Sequence, residues 1–205
     1  MTIIPTILEK SWEEIEKKFE IYKGFAKFVH IDFLDGKFEE NITFLDPEPF
    51  SKYSKYFDLE AHLMVEEPID YIENLSSSGF KTFLGHIEKM SDQVEFVAKA
   101  EVLGAVGLAL DIDTPISDIK VSYEDLDRIL LMGVHLGASG RPFEEKVFEK
   151  IETLKTSGFT NIEIDGGVSE VTLPKLKEKG ANMFCVNSFL FKGDPKKQFE
   201  FLQSI

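Results

Sequence analysis

The chain has 205 residues, 43% of them hydrophobic and 29% charged, the balance of an ordinary globule. A formal net charge of −14 argues against nucleic acid or an anionic membrane as partner, since both need a basic footprint. The single cysteine, Cys185, rules out an internal disulfide. No apolar stretch reaches the roughly 18 residues of a membrane span, and the N-terminus turns acidic at SWEEIEKKFE. The expectation is a cytoplasmic protein that takes a small molecule.

Eight short apolar runs follow one another: 2–8, 27–35, 57–65, 82–88, 105–112, 128–136, 161–167 and 182–191. Amphipathic charged stretches separate most of them: SWEEIEKKFEIY, PIDYIENLSSSG, SDQVEFVAKAEVLG, FEEKVFEKIETLKTSG, SEVTLPKLKEKG and DPKKQFEFLQSI. Ser11 with Glu14 fits a capping box, and Ser91 or Asp92 can cap the third stretch. Gly79, Gly104, Gly158 and Gly180 stand where helix C-caps belong. The connections at 46–56 and 117–127 are too short or broken for full helices. Strands alternating with helices imply parallel pairing through crossovers. The predicted fold is an α/β, TIM (β/α)8 barrel forming one domain over 1–205, with a doubly wound open sheet as the alternative.

The chemistry gathers at the strand ends. His30 and Asp32 end the second run, His62 nears the end of the third, and Asp165 ends the seventh. His30 and Asp32 are two apart, so a strand sends both side chains to one face. In a barrel these ends share the catalytic rim. Two imidazoles and two carboxylates there suit one divalent metal ion. Asp32 and Asp165 on opposite sides of a substrate can remove a proton from one face of a carbon and return one from the other. The enediolate between the two steps needs a cation. Glu163 shares the face of Asp165, either orienting a ligand or filling a barrel layer. Met64 and Met132 read as pocket wall or core, His86 as a structural partner of Glu88, His135 as a lesser candidate for substrate contact, and Cys185 as a buried structural thiol.

A phosphate site is expected at the loops after the seventh and eighth strands. Gly166 and Gly167 permit close backbone approach, and Ser188 adds a hydroxyl and an amide. The loop LGASGRPF offers Gly137, Ser139 and Gly140, with Arg141 as a charge.

HIDFLDGKFEENITF, AHLMVEEPIDYI, GHIE, DTPIS and IEIDGGVSEVTLPKLKEKGANMFCVNSFLF together resemble the ribulose-phosphate 3-epimerases, collinearly from about Ile4 to the C-terminus. The resemblance implies a TIM barrel that interconverts D-ribulose 5-phosphate and D-xylulose 5-phosphate in the pentose phosphate pathway. It implies zinc, iron(II), manganese or cobalt held by His30, Asp32, His62 and Asp165, with Asp32 and Asp165 as acid and base, and a homo-oligomer. It also places Thr6 where the family usually has a substrate-contacting Ser; His62, Met64 and Asn187 complete the candidate substrate contacts. Three segments depart from the family pattern: Leu136 to Arg141 in place of Pro-Gly-Phe-Gly-Gly-Gln, Asn187-Ser188 in place of Gly-Ser, and Asp111-Ile112 in place of Asn-Pro. The metal set is thus intact while the phosphate grip is altered. A related phosphosugar, such as a six-carbon ketose phosphate, stays open as substrate. So do a metal-assisted aldolase or lyase and a non-catalytic sugar-phosphate binding protein.

Overall fold

Strand residues alternate between two apolar environments, and the fold follows from that alternation. The computed structural model describes residues 1–136 and 141–205. Eight parallel strands close in sequence order: β1 (Thr2–Ile7), β2 (Phe28–Leu34), β3 (Asp58–Met64), β4 (Phe80–His86), β5 (Ala105–Leu110), β6 (Arg128–Met132), β7 (Ile162–Asp165) and β8 (Met183–Val186). β8 pairs with β1 from Thr2↔Met183 to Pro5↔Val186, which closes the barrel. This is the TIM-type barrel that the sequence pattern predicts.

On β2, Val29, Ile31 and Phe33 face the surrounding helices and belong to the large outer core. The intervening Leu34 instead joins Met64, Leu84, Ala109, Leu130 and Met132 in a separate cluster inside the barrel. His30 and Asp32 share the inward face with Leu34, as the two-residue period requires. Val134 and Leu136 extend that inner cluster beyond the end of β6. The apolar run 128–136 therefore outlasts its strand: Gly133 still donates to the Asp165 carbonyl, and Val134 and Leu136 roof the interior.

Six helices among the described residues wrap the barrel: α1 (Trp12–Tyr22), α2 (Ile72–Ser77), α3 (Gln93–Leu103), α4 (Val147–Thr156), α5 (Leu173–Lys179) and α6 (Pro195–Ser204). Ser11 caps α1 by accepting from the Glu14 amide at 3.4 Å. Asp92, rather than Ser91, caps α3, accepting from the amides of Val94 and Glu95. Ile15, Phe19 and Tyr22 recur at helical spacing and bury the inner face of α1.

The two irregular connections carry only 3-10 turns, Glu48–Lys52 in the first and Ile116–Asp118 with Tyr123–Asp125 in the second. Pro47 and Pro49 have no N–H to give a longer helix. Aromatic packing substitutes for the missing helix between β2 and β3. Phe19 stacks on Tyr53 with ring centroids 4.2 Å apart, and Trp12 meets Phe50 edge-on at 5.2 Å. Among the described residues, no helix is long and apolar enough to cross a membrane.

Candidate active site

The barrel brings His30, Asp32, His62 and Asp165 together at the C-terminal rim. One donor atom from each lies within 4.8 Å of the others. β2 and β3 run in register with Asp32 beside His62, and β7 delivers Asp165 from across the mouth. Asp32 Oδ1 lies 3.2 Å from His30 Nε2 and 2.9 Å from His62 Nδ1, and Asp165 Oδ2 lies 3.6 Å from the same His62 nitrogen.

Hydrogen-bond polarity fixes which ring atoms face this centre. His30 Nδ1 is 2.7 Å from Glu60 Oε1, so that nitrogen carries the proton it donates to the carboxylate. His30 Nε2 is then the lone-pair atom; it is buried and has no hydrogen-bond partner among the described residues. A second relay sets His62. The Glu88 carboxylate accepts from His86 Nδ1 at 2.9 Å. Burial lowers the pKa of His86, so its Nε2 is bare and accepts from His62 Nε2 at 2.9 Å. That leaves His62 Nδ1 as the inward lone pair. Two bare nitrogens and two carboxylates thus converge on one point, and positive charge must meet them there. This donor set, with an orphaned buried nitrogen in it, fits a divalent first-row metal ion. The remaining charge source is a proton. Burial opposes charge on His30, but Cys185, Asp32 and Glu163 around it raise its pKa well above the ordinary imidazole value.

The two aspartates differ in environment. Burial alone would raise the Asp32 pKa; with protons on His30 and His62, in place of a metal ion, the hydrogen bonds and charge of the two rings bring it down to about 2. For Asp165, burial and then the charge of Asp32 push it up to about 6. Such a split, one carboxyl readily ionised and one near neutrality, suits acid and base work.

A cavity of about 470 Å³ opens above the two carboxylates. Asp32, Asp165, Thr6, Met64, Arg141, Gly166, Gly167, Asn187 and Ser188 line it, all positions that the sequence singles out. His30 and His62 stand fully buried and are not among the lining residues. Gly166 and Gly167 hold left-handed φ of 95° and 71°. A Cβ on either would meet Val134 or Phe143 at 2.5 or 2.8 Å, so only glycine lets this loop fold over the cavity. Gly137, Ser139 and Gly140 lie outside the described residues. His135 is half-exposed, 3.8 Å from both Asp113 and Glu144, and is not on the cavity wall.

Several wall and support residues were not anticipated. Lys192, Phe143 and Thr172 line the cavity. Lys18 donates to Asn187 Oδ1 at 2.9 Å and pairs with Glu9 at 2.6 Å. Glu60 and Arg128 lie beneath the rim. The two-residue period that links His30 to Asp32 also links Glu60 to His62, and could have found Glu60. The same period links Arg128 to Leu130 and Met132 on the inward face of β6, but it does not show which carboxylates Arg128 meets.

Comparison with known proteins adds a second line. A family model described as the ribulose-phosphate 3 epimerase family matches residues 2–191. A ribulose-phosphate 3-epimerase of Schizosaccharomyces pombe is 32% identical over 199 residues, covering 92% of this chain and 86% of the relative. One from Bacillus subtilis is 31% identical over 206 residues, covering 96% and 94%. A mutant tryptophan synthase alpha-subunit from Pyrococcus furiosus superposes with a TM-score of 0.70 at 15% identity, covering 100% of this chain and 98% of that one, a likeness of fold alone.

Proposed function

The chain belongs to the ribulose-phosphate 3-epimerase family, and from that premise we propose that it inverts carbon 3 of a ketose phosphate, D-ribulose 5-phosphate to D-xylulose 5-phosphate. The observation that carries the reading is the placement of Asp32 and Asp165, both on the cavity wall and both against His62. One carboxylate takes the proton from carbon 3 and the other delivers a proton to the opposite face. His30, Asp32, His62 and Asp165 would hold one divalent ion, zinc, iron(II), manganese or cobalt. When bound, it supplies positive charge to the sugar oxygens as the proton leaves.

The chain's own groups account for the remaining requirements. The relays through Glu60 and Glu88 hold the two imidazoles in the ligand tautomer. Thr6 and Met64 shape the wall near the carboxylates. Gly166, Gly167, Asn187 and Ser188, with Arg141 and the loop containing Gly137, Ser139 and Gly140, take the phosphate. We read the chain as one barrel domain over 1–205 in a reducing, cytoplasmic setting, and as a homo-oligomer, which light scattering on the purified protein tests.

One observation favours a neighbouring substrate. Asn187 puts a side chain on the cavity wall, pinned by Lys18, where the family pattern has glycine. A six-carbon ketose phosphate is therefore the second reading. Incubation with D-ribulose 5-phosphate in heavy water decides between them. Deuterium at carbon 3 with formation of D-xylulose 5-phosphate supports the first reading. Exchange only with a six-carbon ketose phosphate supports the second, and no exchange with either at full metal loading rejects both.

A further inference from the structure

Beneath the rim, a second group of side chains closes on the other nitrogen of His30. His30, Glu60, Glu163 and Cys185 are all buried, and one donor atom from each lies within 4.8 Å of the rest. Glu60 Oε1 and Glu163 Oε1 lie 2.7 and 3.4 Å from His30 Nδ1. Cys185 Sγ is 3.0 Å from Glu163 Oε1 and 3.2 Å from His30 Nδ1. By composition this too is a metal-ligand set. A cation of the protein already serves it. Arg128 opens β6, and its Nη1 donates to Glu60 Oε2 and, at 3.1 Å, to Glu163 Oε2. One guanidinium nitrogen thus bridges two carboxylates whose other oxygens both face His30.

The neighbouring strand is shaped for this residue. Gly107 on β5 is the register partner of Arg128. A Cβ at 107 would stand 2.6 Å from the Arg128 carbonyl oxygen, 2.9 Å from Arg128 Cγ and 2.6 Å from Leu84 Cδ2. The Arg128 stem runs inward through space that only a glycine leaves. Its side chain is 16% exposed, a burial that only firm pairing offsets. Without it, two buried carboxylates would repel each other across the contacts that fix the His30 ring.

We propose that Arg128 is a positioning residue for the rim site: it fills the cation's place in the lower cluster, clamps Glu60 and Glu163 against His30 Nδ1, and so holds His30 Nε2 as the ligand atom above. The proposal rests on the metal-dependent reading given above. Partners of this kind around a ligating histidine typically govern affinity by about ten- to a hundred-fold.

Cobalt(II) binding to the full chain tests it, measured by chelator competition and by the visible d–d absorption. Arg128→Met is expected to weaken cobalt binding by about ten-fold or more and to alter the d–d bands. Arg128→Lys, which keeps a charge in place, is expected to recover most of the loss. A purely structural role would lower the melting temperature while folded Arg128→Met kept the parent affinity and spectrum, and that result overturns the proposal. Should Arg128→Met not fold, the uncharged but polar Arg128→Gln decides: weakened cobalt binding supports the clamp, and parent affinity overturns it. A parent protein that binds no cobalt defeats the metal-dependent reading and this proposal with it. Parent binding with unaffected variants defeats this proposal alone.

Discussion

His62 Nε2 and His86 Nε2 face each other at 2.9 Å, a separation that admits one proton between them. Because Glu88 claims the proton on the far side of His86, the shared proton belongs to His62. The inward nitrogen of His62 is therefore set by a carboxylate two side chains away. His86→Leu, which removes the acceptor, is expected to weaken divalent metal binding by about ten-fold or more. His86→Gln, whose amide oxygen can still accept, should lose much less. Chelator competition on the two variants measures the difference, and equal losses would remove the relay from the account.

Asp32→Asn and Asp165→Asn each take away one proton carrier while keeping shape. Turnover of D-ribulose 5-phosphate should fall by about 10²- to 10⁴-fold in each. The two are not equivalent, since Asp32 also touches both imidazoles whereas Asp165 reaches only His62 at 3.6 Å. Asp32→Asn should consequently lose more metal affinity than Asp165→Asn. A coupled assay with metal titration reads both effects, and near-normal turnover in either variant removes that residue from its role.

How much of this was legible in the sequence depends on the kind of signal. Period-two alternation placed His30 with Asp32 on one face, and the strand-helix alternation placed all four ligand-type residues at one rim. Both are local rules, so the sequence carries them openly. The helix-free connections showed through their short or broken pattern. What lay hidden were pairings set by barrel closure. Lys18 on α1 reaches Asn187 beyond β8, 169 residues away, and Arg128 meets Glu60 across 68. No spacing rule joins such positions, because β-barrel register alone brings them together. The glycine at 107 was likewise unreadable until its neighbour's side chain was seen to need the room.

Glu88 makes the fold sensitive to acid. Burial alone would raise its pKa, but the hydrogen bond from His86 and the Asp111 amide, which donates at 2.7 Å, bring it from the ordinary 4.5 down to about 2. A carboxyl with a depressed folded pKa stabilises the fold above its unfolded value and loses that contribution as pH falls through the folded one. The loss should run from about pH 4.5 toward pH 2 and amount to roughly 3 kcal/mol. Glu88→Gln should flatten this part of the stability profile. Urea unfolding at a series of pH values measures it, and a parallel profile in the variant would contradict the assignment.

The aromatic plug between β2 and β3 predicts stability without chemistry. Phe50 is wholly buried and meets Trp12, Phe19, Phe33, Phe44 and Phe80 within 6.3 Å, centroid to centroid. Phe50→Ala should cost about 3–5 kcal/mol, since no helix in that crossover can collapse into the gap. Chemical denaturation gives the value. Metal affinity of the folded fraction should stay unchanged, because the plug lies outside the barrel and the ligands inside it.

The net charge of −14 sets the last expectation. An anionic sugar phosphate approaching this surface is repelled at long range, so local positive charge must offset the repulsion at the cavity. Lys192 lines that cavity beside Phe189, its ammonium 5.4 Å from the ring centroid, and pairs with no carboxylate among the described residues. It lines the same cavity as Asn187 and Ser188, where the phosphate is proposed to bind. Lys192→Gln should therefore raise KM for a phosphorylated ketose by roughly ten-fold while leaving kcat nearly unchanged, since uniform binding is lost and proton transfer is not. The dependence of kcat/KM on ionic strength should also weaken, because salt screens the attraction that the variant no longer has. Steady-state kinetics at low and high salt measure both, and a fall in kcat with KM unchanged would place Lys192 in a different role.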